Sequence, residues 1–221
     1  MKLLAKAAQM LLIIAIPVFI VTASIRVLIN PLYPQIEYSL PSFPPDTYGF
    51  TPQERLQWAT ISFNFMWSSN DVSYFNQFKL ADGAPLYNDR EISHMHDVKV
   101  LADEMVLVLE GVIVFLILGG AIAWRVKGLR AYFQSLSRGG FVMLAIVALI
   151  LLGTVLAFNW LFTEFHRIFF TGDSWLFYFS DTFIRLFPMQ FWQDLFIVIG
   201  VLCIILGLLF AFAGRRLAKN F

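Results

Sequence analysis

Four long runs of apolar residues divide the chain, and polar segments of very different lengths separate them. The runs cover about 8–29, 105–123, 141–161 and 195–213. Each run reaches the roughly 20 residues that a helix needs to cross about 30 Å of hydrocarbon. Helices are favoured because a lipid-exposed segment must satisfy its own backbone hydrogen bonds. The pattern predicts an all-α membrane protein, with four transmembrane helices in a single integral membrane domain over residues 1–221.

The composition agrees with this prediction. Apolar residues make up 59% of the 221 positions and charged residues 14%, whereas soluble domains are about half apolar and about a quarter charged. The first run could instead be a cleaved signal peptide, because Lys2 and Lys6 precede it and Val21-Thr22-Ala23 resembles a cleavage site. The run nevertheless continues to Ile29, broken only by Arg26, which favours a retained span.

Charge predicts which side of the membrane each segment occupies. The stretches before the first run, between the second and third, and after the fourth contain no Asp or Glu. They are rich in Lys and Arg, and stretches rich in these two residues are typically cytoplasmic. Both termini are therefore predicted to be cytoplasmic, and segments 30–104 and 162–194 to form a small extracytoplasmic cap. The basic residues of the three stretches are Lys2, Lys6, Arg125, Lys127, Arg130, Arg138, Arg215, Arg216 and Lys219.

The first cap segment contains signals for both extended chain and helix. Five prolines between Pro31 and Pro45 predict extended chain there. Thr51 followed by Glu54 is the pattern of a capping box, which predicts a helix over Pro52–Asn70. Asn88-Asp89-Arg90-Glu91 has the same pattern, and the helix it begins is predicted to continue into the second span.

All three histidines, His94, His96 and His166, lie in the two cap segments. Histidine is the side chain most easily used as a base near neutral pH. On the predicted helix His94 and Asp97 share a face, so the carboxylate is expected to orient the imidazole. His96 points away from that face. We therefore predict a catalytic site at the extracytoplasmic side built from His94, His166 and Asp97.

Other kinds of protein could use the same residues. His94, His166 and Asp97 could hold zinc with an open fourth position, as in a metal-dependent interfacial hydrolase. Ser93 or Ser174 could act as a nucleophile, although no glycine-framed elbow surrounds either serine. A non-catalytic membrane scaffold or sensor would explain the many aromatic residues of the cap. The net charge of +1 gives no indication of a nucleic-acid partner.

Several short motifs resemble those of the lipoprotein intramolecular transacylases, a family of bacterial membrane proteins with four spans. The likeness covers the whole chain, including the number of spans and the lengths of the loops. The motifs that carry it are Asn30-Pro31-Leu32-Tyr33, His94-Met95-His96-Asp97-Val98-Lys99, Phe165-His166-Arg167-Ile168-Phe169-Phe170 and Gly172-Asp173-Ser174-Trp175-Leu176-Phe177.

The resemblance implies acyl transfer within a diacylated bacterial lipoprotein, in the cell membrane and among membrane lipids. The acyl chain would move from the sn-2 ester of the diacylglyceryl group to the α-amino group of the N-terminal cysteine, giving a lyso-form lipoprotein. His94, oriented by Asp97, would be the base and His166 the proton donor, with the roles interchangeable. Arg26 and Arg167 would bind the substrate. The resemblance implies neither a metal nor another cofactor.

The charge argument predicts the outcome of topology mapping. Reporter tags at Lys2, Arg130 and Asn220 should be cytoplasmic, and a tag near Asp82 should be external. Protease accessibility in spheroplasts would measure the side of each tag. An external tag at Arg130 would contradict the predicted orientation and the extracytoplasmic site with it.

Overall fold

The computed structural model describes residues 2–221, and within that range the chain is almost entirely helical. One short 3-10 helix, Val72–Gln77, accompanies the α-helices. The α-helices are α1 (Lys2–Leu28), α2 (Leu32–Ser39), α3 (Pro52–Met66), α4 (Asp89–Arg125), α5 (Leu129–Phe169), α6 (Thr182–Leu186) and α7 (Met189–Leu217).

Four of these helices, α1, α4, α5 and α7, are long and apolar enough to cross a membrane. The predicted all-α fold with four transmembrane helices is confirmed. Helix α4 begins well before its apolar run because its start is capped as predicted. The Glu91 N–H donates to Asn88 Oδ1 at 3.1 Å, and the Asn88 N–H donates to Glu91 Oε2 at 2.8 Å. This capping box carries the helix from the polar segment into the second span.

The first cap segment contains one helix that the sequence did not predict, and the helix that was predicted there is shorter than expected. The predicted extended chain after Pro31 is wrong, because α2 forms over Leu32–Ser39. Asn30 Oδ1 accepts from the Leu32 N–H at 2.8 Å, and proline is tolerated in a first helical turn, where an N–H has no helical partner. Helix α3 has the predicted capping box but ends at Met66 instead of Asn70.

The chain forms two compact units. The first unit combines α1 through Val27 with Met105–Leu156 and Phe196–Phe221, and the second combines Leu28–Glu104 with Ala157–Leu195. The prediction of one membrane domain stays a prediction. The core of the first unit consists of Ile16, Ile20, Met143, Val147 and Cys203, all almost fully buried.

Within the first unit, α5 and α7 pack with their backbones in contact. A Cβ atom at Gly140 would lie 2.5 Å from the Ala211 nitrogen, and one at Gly214 would lie 2.8 Å from the Phe133 carbonyl oxygen. Ser137 Oγ donates to the Ala211 carbonyl oxygen at 2.7 Å. Small residues commonly allow such an approach between membrane helices. Glycine is therefore required at both positions.

In the second unit, a buried ion pair joins segments that are distant in sequence. Arg185 Nη2 lies 3.0 Å from Asp46 Oδ2, and the two side chains are only 11% and 2% exposed. Arg55 Nη1 donates to the Pro44 carbonyl oxygen at 2.6 Å, and Arg55 Nε donates to the Arg185 carbonyl oxygen at 2.8 Å. These contacts fix the chain before α3 against α6, and α6 in turn packs beside His94.

Candidate active site

His94 projects from α4 into a cage of aromatic rings. Its side chain is only 3% exposed. The ring centroids of Phe170, Phe177 and Phe183 lie 5.0, 5.4 and 5.5 Å from the imidazole centroid, all in edge-to-face orientation. Such contacts fix the ring of His94 without neutralising a charge. The cage therefore suits a neutral imidazole.

His166 lies near the end of α5 and has a defined tautomer. Its Nδ1 lies 2.7 Å from the Phe162 carbonyl oxygen. A carbonyl oxygen only accepts, so we assign the proton of the neutral ring to Nδ1. The lone pair is then on Nε2. Trp175 packs over the same ring, at a centroid distance of 5.0 Å.

The two imidazoles stack on each other. Their centroids lie 5.8 Å apart, and their planes differ by 25°. The structure thus brings together the two histidines that the sequence singled out, and their catalytic roles stay a prediction. General acid–base chemistry on one reacting group requires the two imidazoles to lie close together in this way.

Burial makes both imidazoles harder to protonate. The two residues lie outside the four predicted spans. Burial, together with the charge that His166 would carry, lowers the pKa of His94 to about 3. Burial also lowers the pKa of His166, while its hydrogen bond to the Phe162 carbonyl acts in the opposite direction. Both shifts favour neutral rings near neutral pH.

Asp97 does not orient His94 as predicted. Its Oδ2 accepts a hydrogen bond from Ser174 Oγ at 3.0 Å. Nδ1 of His94 is buried, and no group among the described residues hydrogen-bonds to it. The predicted hydrogen bond is wrong because the carboxylate turns toward a partner from the other cap segment. Asp97 instead ties α4 to the turn that carries Trp175.

Glu91 has a larger role near the site than the sequence indicated. Its side chain is only 1% exposed, and burial raises its pKa to about 7. Besides capping α4, it accepts from the Phe183 N–H through Oε1 at 2.6 Å. Phe183 is one wall of the cage around His94. In the sequence, the only indication that Glu91 lies near His94 was their spacing of three residues, which places both on one face of the helix.

The remaining candidate residues lie elsewhere. Arg167 is largely exposed and pairs with Glu164 at 2.8 Å. Arg26 belongs to the last turn of α1, in the first unit. Their substrate-binding roles stay predictions. His96 is exposed, as expected for a histidine outside the site.

A zinc site and a serine nucleophile would each need side-chain contacts that the described residues do not make. Within residues 2–221, no three His, Cys, Asp or Glu side chains converge as metal ligands. Asp97, the third ligand that a zinc site would need, is engaged by Ser174. Ser174 donates to that carboxylate and not to an imidazole, and Ser93 is exposed. The site therefore offers two imidazoles as its reactive groups.

The fold and the site define a multi-pass membrane protein with a buried histidine pair. The family model described as lipoprotein intramolecular transacylase Lit matches residues 10–192, so the chain belongs to this family of membrane acyltransferases. The family predicted from the sequence motifs is confirmed.

The proteins to which this chain is similar include one from Aquifex aeolicus and one from Bacillus cereus. An uncharacterized protein of Aquifex aeolicus is 30% identical over 216 residues, which cover 98% of this chain and 96% of that protein. A solved structure of the membrane integral lipoprotein intramolecular transacylase Lit from Bacillus cereus has a TM-score of 0.82 at 18% identity, covering 100% of this chain and 98% of that one. Its variant with a histidine replaced by alanine has a TM-score of 0.77 at 16% identity, with 99% and 96% covered.

The burial of His94 predicts an unusual titration. A group whose pKa is lowered keeps its neutral form as the pH falls, so His94 should remain neutral at about pH 5, where an ordinary histidine is protonated. NMR of ring-labelled protein would measure this, with the His94→Ala spectrum as the assignment control. Protonation of His94 near pH 6.5 would contradict the buried neutral ring.

Proposed function

We propose that this chain moves the acyl chain at the sn-2 position of a diacylated bacterial lipoprotein to the α-amino group of the lipoprotein's N-terminal cysteine. The product is a lyso-form lipoprotein with a free sn-2 hydroxyl. The stacked pair of His94 and His166, in a member of a transacylase family, is the observation that supports this most directly. The reaction needs acid–base groups and no cofactor.

The substrate itself supplies much of the catalysis. The amine and the ester belong to the same modified cysteine, so attack closes a ring within one molecule and proximity lowers the barrier. The amine nitrogen bonds to the ester carbonyl carbon, and the bond from that carbon to the glycerol oxygen then breaks. The ammonium loses two protons and keeps its third hydrogen as the amide N–H; one of the two protons goes to the departing glycerol oxygen and the other to water. No covalent acyl-enzyme is required.

His166 is the proposed base. Its Nδ1–H is held by the Phe162 carbonyl, which leaves the Nε2 lone pair available to accept a proton. The imidazolium that forms can return this proton to the departing glycerol oxygen. His166 is also the ring of the pair on which a proton is more stable, because the burial of His94 is deeper.

His94 is the proposed hydrogen-bond donor to the oxyanion. A ring whose pKa is about 3 is too weak a base to deprotonate an ammonium. A neutral imidazole can still polarise a carbonyl through its N–H. The structure therefore favours the exchanged roles, with His166 as base and His94 as donor.

Asp97 and Glu91 are proposed to act through their neighbours. Asp97 holds Ser174 and with it the turn whose Trp175 covers His166. Glu91 holds the backbone of Phe183 against His94. Both are positioning residues. Arg26 and Arg167 remain proposed contacts for the diacylglyceryl group.

We further propose that the protein lies in the bacterial cell membrane, with both termini cytoplasmic. Segments 30–104 and 162–194, which carry His94 and His166, then form the cap on the extracytoplasmic side. The distribution of basic and acidic residues supports this orientation. Membrane lipids would surround the exposed apolar side chains of the four long helices.

Expression in a bacterium whose lipoproteins are diacylated tests the proposal. Mass spectrometry of one lipoprotein N-terminus should show the acyl chain moved from the glyceryl ester to the amine. His94→Ala and His166→Ala should each reduce the rate by about 10²–10⁴-fold, the usual effect of losing a positioned acid or base. Asp97→Asn should reduce it less, because Asp97 contacts neither imidazole.

His96→Ala is the matched control and should leave the rate unchanged, since His96 is exposed on the same helix. Ser174→Ala should reduce the rate no more than Asp97→Asn does, because it perturbs the same hydrogen bond and no covalent acyl intermediate is proposed. Full activity in folded His94→Ala and His166→Ala proteins would contradict the proposed site. An acylated Ser174 would replace the mechanism with nucleophilic catalysis.

A further inference from the structure

A basic cleft lies in the first unit, at the ends of α5 and α7. It consists of two adjoining cavities of about 470 and 370 Å³ that share Arg215 and Lys219. Arg216 lines the first cavity, and Arg130 and Arg138 line the second. None of this surface belongs to the candidate active site, which lies in the second unit.

Close packing of the two helices brings these charges together. Gly140 and Gly214 place the α5 and α7 backbones in contact, and Ser137 Oγ bonds to the Ala211 carbonyl oxygen at 2.7 Å. The basic residues of the first turns of α5 consequently face those at the end of α7. The rings of Phe133 and Phe221 stack at 5.8 Å and hold the chain end in place.

These cations have no acidic partner. Among the side chains that the structure describes, no carboxylate lies within ion-pairing distance of any of the five. The α7 dipole can account for Arg215 and Lys219, since cations are favoured at a helix C-terminus. It cannot account for Arg130, because the N-terminal end of α5 is itself positive. The cleft therefore has a strong positive potential that an anion would neutralise.

The walls of the cleft are amphipathic. Phe212 lines the first cavity and Phe141 the second, and both rings are about half exposed. Gln134 and Ser137 add polar groups to the second cavity. Guanidinium groups bind phosphate oxygens in pairs, and exposed rings on a membrane helix lie beside acyl chains. A phosphate attached to hydrocarbon matches this lining better than a soluble anion does.

We propose that this cleft binds the headgroup of an anionic phospholipid. Its phosphodiester lies among Arg130, Arg138, Arg215 and Lys219, and its acyl chains extend along Phe141 and Phe212. Basic pockets between transmembrane helices are known to take such headgroups. The site is separate from the acyl-transfer chemistry and does not depend on it.

Native mass spectrometry of the full chain tests the proposal, with phosphatidylglycerol and phosphatidylcholine as competing probes. The protein should retain one phosphatidylglycerol in preference to phosphatidylcholine. Arg215→Gln with Lys219→Gln should weaken that retention by about tenfold or more, because two basic contacts are lost. The exchange Arg215→Lys with Lys219→Arg keeps both charges and should preserve most of the retention.

The matched control is Arg125→Gln with Lys127→Gln, which removes two exposed cations that line neither cavity. Retention should be unchanged in this variant. If both glutamine variants lost the same amount of phosphatidylglycerol retention, the lipid would be held by general attraction to basic surface residues, and the proposed site would be wrong. Equal retention of both lipids would overturn it as well. Binding of inorganic phosphate without a preference for phosphatidylglycerol would show a site for a free anion instead of a lipid.

Discussion

The stacking of two buried imidazoles is the contact on which this account of the protein depends. His94 and His166 come from different helices, and their rings meet at 5.8 Å inside a cage of aromatic side chains. Burying a charge without a partner is costly, so the pair is stable in the cage only as neutral rings. A neutral pair can accept one proton and donate a hydrogen bond at once, and the accepted proton can then go to the departing oxygen, as the proposed acyl transfer requires.

The surrounding structure keeps this pair in place from several directions. Glu91 fixes the backbone of Phe183, and Asp97 fixes Ser174 in the turn that carries Trp175. The buried pair of Arg185 and Asp46 holds α6, which supplies Phe183. These contacts hold the two rings in place, and the proposed function needs few other reactive groups because the substrate would carry both nucleophile and ester.

Most of the fold could be predicted from the sequence, because the start of a helix depends on neighbouring residues and a membrane span depends on the summed hydrophobicity of a run. Four apolar runs predict four long helices, and the capping pattern at Asn88 and Glu91 predicts where α4 begins. Helix α2 was missed because the number of prolines suggests extended chain, although the first turn of a helix tolerates proline.

The candidate site was predicted in part, for a physical reason. His94 and His166 were identified because imidazole is rare in this chain and its chemistry is distinctive. The partner of Asp97 was not identified. Helical spacing indicates which residues share a face, but it does not indicate that the distant Ser174 hydroxyl would bind the Asp97 carboxylate. The contact of Glu91 with the Phe183 N–H was equally hidden, because a backbone donor has no sequence signature.

The central claim is that the histidine pair moves an acyl chain within one lipoprotein molecule, and a crossover measurement tests it most directly. Two lipoproteins of different mass would be mixed with the purified protein, one carrying a deuterated sn-2 acyl chain and the other an unlabelled one. The account predicts that each N-acylated product retains the acyl chain of its own precursor. Exchange of deuterated chains between the two lipoproteins, together with acylated protein, would contradict it and show transfer through a covalent intermediate.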